Sequence, residues 1–266
     1  MIIQSVKLHS AVNQRQYATV IAKEGGAAKR AVANSHFIFV EVTADNGLTG
    51  WGEISDIEPD EVPKNPAEYE ALLGDFLRGR NPFEIQKLHH DIRQHFDLEN
   101  SALARYASCA LDMVMYDLAG KATSRPASDL LGGAVRKDVT ISWVAFIRED
   151  LDLLREEIRE KRKQGFQAYK LKVGVDIELD EERVAIAREV AGKDASIKVD
   201  ANEGWSVAQA PKNIRRLNKF NLAGVETPVP REVAADIAAV RRQVDVDPEH
   251  RDRDTAADRG DIEQSA

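Results

Sequence analysis

In this 266-residue chain, Lys170, Lys172, Asp200 and Glu226 are ionisable groups that recur at a near-constant interval and could form one reactive cluster. They belong to three short runs, Tyr169-Lys170-Leu171-Lys172-Val173-Gly174, Val199-Asp200-Ala201-Asn202 and Val225-Glu226-Thr227-Pro228. Lys172 precedes Asp200 by 28 residues, and Asp200 precedes Glu226 by 26. That interval holds one strand and one helix, so the charged groups should fall at successive strand ends of a parallel α/β barrel. Alternate residues of a strand share a face. Lys170 and Lys172 then point into the barrel, and Tyr169, Leu171 and Val173 point toward the surrounding helices. Two adjacent ammonium groups repel and burial disfavours charge, so both lysine pKa values are expected to fall. A lysine tuned this way is a general base near neutral pH. Asp200 and Glu226 are hard oxygen donors of the kind that hold Mg²⁺. Together the four groups suit removal of a carbon-bound proton.

Taken singly, each group has a plainer reading. A Lys-x-Lys pair on a half-exposed strand is a pair of surface lysines, and an acid before Asn-Glu-Gly or Thr-Pro is commonly a helix cap or a surface carboxylate. The recurrence of one interval across three segments favours the joint reading. His89, His90 and His95 lie 1, 5 and 6 positions apart rather than 3 or 4, which suits solvated helix histidines better than metal ligands. Arg215-Arg216 and Arg241-Arg242 read as exposed helix charges. Cys109, the single cysteine, sits in an apolar helical run and reads as a buried, inert thiol.

Periodicity gives the strands and helices around these residues. Residues 1 to about 55 are rich in strand formers: Met1 to Val6, His36 to Val42, and a strand ending near Glu53 after the Asp45-Asn46-Gly47 turn. Between them, Gln14 to Ser35 is polar and small and reads as a long mobile loop. Residues 66 to 120 are helical, with Ala104, Ala107, Leu111, Val114 and Leu118 on one buried face. A boundary near 135 separates an α+β domain, residues 1–135, from a βα rhythm over 136–246. Strands are expected at Val139–Ile147, Ala168–Val173, Ile197–Ala201 and Leu222–Glu226. A charged helix follows the second strand to about Ala191. Later helices carry Val207, Ala210, Ile214 and Leu217, then Val233, Ile237, Val240 and Val244. Four βα units are legible, a partial (β/α) barrel. Residues 247–266 hold ten charged side chains and one large aliphatic residue. They read as a disordered tail or as a shifted reading frame.

The net charge of −8, from 37 basic and 45 acidic residues, argues against a nucleic-acid partner. No apolar run reaches the ~18 residues of a membrane span. The first residues lack a signal-peptide layout, and one cysteine forms no internal disulfide. A cytoplasmic protein is expected.

Several stretches resemble the mandelate racemase and muconate lactonizing enzyme group of the enolase superfamily. They are Gly47-Leu48-Thr49-Gly50-Trp51-Gly52-Glu53, Asp112 to Gly133, the YKLKVG run at 169–174, VDANEGW at 199–205 and VETPVP at 225–230. The resemblance runs from residue 1 to about 246. It implies an α+β capping domain on a (β/α) TIM-type barrel, with Gln14 to Ser35 as the loop that closes over the substrate and sets specificity. It implies Lys172 as the catalytic base, Lys170 as the group that tunes it and contacts the substrate carboxylate, Asp200 and Glu226 as the first two Mg²⁺ ligands, and Asn202 as a supporting residue. The implied chemistry is abstraction of a proton α to the carboxylate of a small substrate, in an enzyme that is homo-oligomeric at full length. The KLKVG form and the Trp143 strand lean toward the muconate cycloisomerase branch. Racemases, dipeptide epimerases and sugar-acid dehydratases are the other branches. A third metal ligand is expected near residue 251, where Asp252 and Asp254 have no strand to support them. The second acid or base of the family has no counterpart, so a catalytically inactive fragment is the alternative expectation.

Overall fold

The computed structural model describes residues 1–23, 28–230 and 234–244. The expected tail, with Asp252 and Asp254, lies outside the described residues. The chain forms two compact units. One holds Met1–Gln16 and Ala33–Lys137, and the other holds Tyr17–Val32 with the chain from Asp138 onward.

β1 (Ile3–Ala22), β2 (Ala28–Ala44) and β3 (Thr49–Ile57) lie in that order in one sheet, with the end of β1 from Tyr17 and the start of β2 to Val32 counted in the second unit and the rest in the first. Strands β2 and β3 pair antiparallel, with Val40 opposite Gly52 and Val42 opposite Gly50. Helices α1 (Pro66–Leu77), α2 (Ile85–His95) and α3 (Ala102–Thr123) cover the sheet. The expected face of α3 is buried. Its contact with β3 explains two glycines: a Cβ on Gly52 would lie 2.0 Å from the Ala110 carbonyl oxygen, and one on Gly50 would lie 2.5 Å from Leu118 Cγ. Only hydrogen lets the strand lie this close to the helix.

Two expectations fail here. The segment 14–35 is mostly strand: β1 continues to Ala22 and β2 begins at Ala28. Its small and polar residues give no alternating pattern, yet backbone pairing needs none. Cys109 is exposed, because the helical turn carries it off the face that buries Ala107, Ala110 and Leu111. The histidines lie on α2 as expected: His90 and His95 are exposed and His89 is partly exposed, with His89 Nε2 2.6 Å from Asp112 Oδ1 and His95 Nδ1 donating to the Asp91 carbonyl at 2.8 Å.

The short helix α4 (Ala127–Leu130) leads toward the second unit. There, β4 (Ser142–Ala145), β5 (Ala168–Lys172), β6 (Ser196–Asp200) and β7 (Gly224–Glu226) form a parallel sheet in sequence order. They alternate with α5 (Leu151–Lys163), α6 (Ile177–Ala191), α7 (Ala210–Asn218) and α8 (Ala234–Gln243). This is a partial α/β barrel. Asp150 and Asp176 start α5 and α6 by accepting from the amides of Asp152 and Leu153, and of Glu178 and Leu179. Tyr169, Leu171, Val173, Ile197 and Val199 share one buried core with the apolar faces of these helices.

The first strand of this sheet is shorter than expected: Val139 and Ile141 are exposed. Val207 precedes α7, where Pro211 stands in the first turn, the position that tolerates a missing N–H. Ile237 is 38% exposed although Val240 is buried. Arg216 does more than decorate its helix, bridging from α7 to Glu178 and Glu181 on α6. Among the described residues, no helix is long and apolar enough to cross a membrane.

Candidate functional site

Parallel pairing brings the chemistry-bearing residues level. Lys172 stands opposite Asp200, and Asp200 opposite Glu226, across β5, β6 and β7. One step back, Lys170 stands opposite Lys198, which faces Gly224. Tyr169, Leu171 and Val173 pack on the helix side, and pleating sends Lys170 and Lys172 to the other face.

Asp200 is the centre of the cluster and is only 1% exposed. Its Oδ2 accepts from Lys172 Nζ at 2.7 Å and lies 3.3 Å from Lys170 Nζ. Its Oδ1 accepts from the Thr227 hydroxyl at 2.7 Å and the Asn202 amide at 3.0 Å. Lys170 Nζ also donates to Glu226 Oε1 at 2.8 Å. Glu226 is more open, with its side chain 51% exposed. Asn202, Glu203 and Thr227 have φ values of 45°, 66° and 38°. Non-glycine residues in the left-handed region cluster where backbone strain is tied to function, and all three lie just past the strand ends that carry the carboxylates.

The expected fall in lysine pKa is overturned for Lys170. Burial acts to lower it, but bonds to Glu226 and Asp200 outweigh that and hold the ammonium above its ordinary range. For Asp200, burial acts to raise the carboxyl, and the bonds from Lys172 and Thr227 reverse this and hold it below the usual carboxylate range.

Thr227 was not singled out from the sequence, although a hydroxyl directly after Glu226 is the signal that marks it. Trp143 packs away from this cluster: its indole N–H donates to Glu157 at 3.0 Å, and Lys161 Nζ sits 3.8 Å from the ring centre. It therefore says nothing about which branch of chemistry applies.

A divalent cation can be tested against these residues. Asp200 and Glu226 offer hard carboxylate oxygens of the kind Mg²⁺ takes, and the Asn202 side-chain oxygen is buried without a hydrogen-bond partner. A buried oxygen with no partner is costly unless something occupies it, so the donor set fits a hard cation. Among the described residues, no group of three or more His, Cys, Asp or Glu side chains is placed to hold a metal.

Comparison with known proteins identifies the family of the fold. Residues 16–132 match the family described as mandelate racemase / muconate lactonizing enzyme, N-terminal domain, and residues 153–247 match the enolase C-terminal domain-like family. A hydrophobic dipeptide epimerase from Enterococcus faecalis is 33% identical over 207 residues, which is 77% of this chain and 56% of that protein. Muconate cycloisomerase 1 from Rhodococcus opacus is 30% identical over 218 residues, 79% of this chain and 56% of that protein. The crystal structure of the E. faecalis dipeptide epimerase, complexed with Mg and the dipeptide L-Leu-L-Tyr, superposes with a TM-score of 0.76 at 27% identity, covering 92% of this chain and 66% of that one. The chain belongs to the mandelate racemase and muconate lactonizing enzyme group of the enolase superfamily. It spans just over half the length of the curated relatives it matches.

Proposed function

We propose that this chain carries the proton-abstracting half of a Mg²⁺-dependent isomerase or lyase acting on a carbon α to a carboxylate. The observation that supports this most is the level row of Lys172, Asp200 and Glu226 at adjacent strand ends, with Lys170 joining both carboxylates. Lys172 Nζ is the base that takes the α-proton. Lys170, as an ammonium, donates to an oxygen of the substrate carboxylate and so stabilises the charge that develops there. Thr227 and the Asn202 amide hold the Asp200 carboxylate in one orientation. Bound through Asp200 and Glu226, Mg²⁺ would supply positive charge for the developing enolate oxygens and release the lysines from their carboxylates.

Epimerisation of a dipeptide-like substrate is the favoured reaction, because the dipeptide epimerase shares more identity with this chain than the muconate cycloisomerase does. Cycloisomerisation of a muconate is the second reading, supported by that cycloisomerase's likeness over 79% of the chain. The test is proton exchange in D₂O followed by ¹H NMR, with Mg²⁺ and either L-Leu-L-Tyr or muconolactone, the lactone that carries the α-proton of the muconate reaction. The expected result is loss of an α-proton signal from the dipeptide that Lys172→Ala abolishes. Exchange that survives Lys172→Ala, or no exchange with either compound, would sink the proposal.

A further inference from the structure

Behind the lysine row lies a second ion pair that the proposed chemistry does not use. Asp180 and Arg183, both on α6, are 0% and 3% exposed. Asp180 Oδ1 accepts from the Arg183 guanidinium at 2.6 Å, and Oδ2 accepts from the Gly174 amide at 2.7 Å. Arg183 Nε donates to the Arg148 carbonyl at 3.0 Å. Both bonds that leave the helix therefore end on strand-to-helix connections. Gly174 lies two residues past Lys172, with φ of 110°. A Cβ there would lie 2.6 Å from the Ala201 carbonyl oxygen and 2.9 Å from the Ala22 methyl. Arg148 follows Ile147, whose amide donates to the Val20 carbonyl at 3.2 Å.

The pair thus sits at a junction. One arm holds the connection that carries Lys172 against the loop after Asp200. The other holds the turn on which the Val20 segment of β1 is seated. Desolvating a carboxylate and a guanidinium costs several kcal/mol per ion, and apolar side chains of the same volume often stabilise a core as well or better. What an apolar pair cannot do is bond two separate backbones in one register. An ordinary helix ion pair at this spacing would leave both groups in water and touch neither connection.

We infer that Asp180 and Arg183 are positioning residues, which set the place of Lys172 through Gly174 and the seat of the Val20 segment through Arg148. The role of Lys172 rests on the function proposed above, and the test separates the two. The variants are Asp180→Asn, Arg183→Lys and, on the same helix but exposed, Glu182→Gln. The readouts are the ¹⁵N shift of Lys172 Nζ, the amide exchange rates of Gly174 and Ile147, and kcat and KM where turnover is present. Asp180→Asn should move the Lys172 signal and speed Gly174 exchange at least about tenfold. Displacement of a reacting group on the order of 1 Å is worth up to about a hundredfold in rate, so kcat should fall tenfold or more with KM within about threefold. Arg183→Lys keeps the charge and should loosen Ile147 more than Gly174, which serves if Asp180→Asn fails to fold. Glu182→Gln should change none of these. A wild-type chain without proton exchange whose Lys172 signal still answers to Asp180→Asn refutes the function and leaves the linkage standing. Folded Asp180→Asn and Arg183→Lys proteins with unchanged Lys172, Gly174 and Ile147 signals overturn the linkage, whatever the turnover.

Discussion

Replacing Asp200 by asparagine keeps the shape of the side chain and removes only its charge. An amide oxygen can still accept from Thr227 and from the Asn202 amide, so the loss is confined to the lysines at 2.7 and 3.3 Å. Lys172, 12% exposed in its side chain, would be left with no carboxylate in contact among the described residues. Breaking a buried pair by removing one partner costs about 3–5 kcal/mol. Lys172 keeps some water, so roughly 2–3 kcal/mol is the better expectation, or a fall of about 6–10 °C in Tm for a unit of this size. Lys172→Met removes the other charge at similar length, and the double variant should recover part of the loss. The coupling between the two positions should be at least about 1.5 kcal/mol, measured by urea unfolding in EDTA near neutral pH. A coupling below roughly 0.5 kcal/mol would show that the contact carries no energy. The electrostatic account of the site would then be wrong.

Gly174→Ala and Gly47→Ala both add a methyl where φ is positive, at 110° and 80°. At Gly47 nothing lies within 4 Å, whereas at Gly174 the new carbon meets backbone at 2.6 Å. The first change should cost about 3 kcal/mol and the second about 1 kcal/mol; equal losses in chemical denaturation would contradict the close approach of the two loops. Burial pushes the Asp180 carboxyl up from 3.8 to about 6, against the pull of Gly174 and Arg183. A folded value above the unfolded one means that folding takes up a proton. This contribution to stability is therefore complete below the unfolded value and is lost as pH rises through about 6. Between about pH 5 and pH 7.5 the loss should be roughly 1.5 kcal/mol. Asp180→Asn should remove that slope from the urea midpoints, and identical slopes in the two proteins would refute the assignment.

Local pattern was enough for much of this molecule. The buried face of α3, the alternation of β5 and the four βα units follow from periods that a single element imposes on its own residues. The candidate site was legible because charged side chains interrupt apolar runs at a repeating interval, an anomaly that survives without any knowledge of contacts. The strands over 14–22 and 28–35 were not legible, because pairing of backbone groups leaves no mark on small, polar side chains. The direction of the Lys170 shift was hidden for another reason. Its neighbours along the strand suggested repulsion, while the carboxylate that settles the matter belongs to Glu226, 56 residues away. Asp180 and Arg183 are the extreme case. In the sequence they belong to a highly charged helix, Ile177-Glu178-Leu179-Asp180-Glu181-Glu182-Arg183, where every ionised group looks equally solvated. Only the packing of α6 against its own sheet takes two of them out of water, because burial is a property of the partners a residue meets and not of the residue.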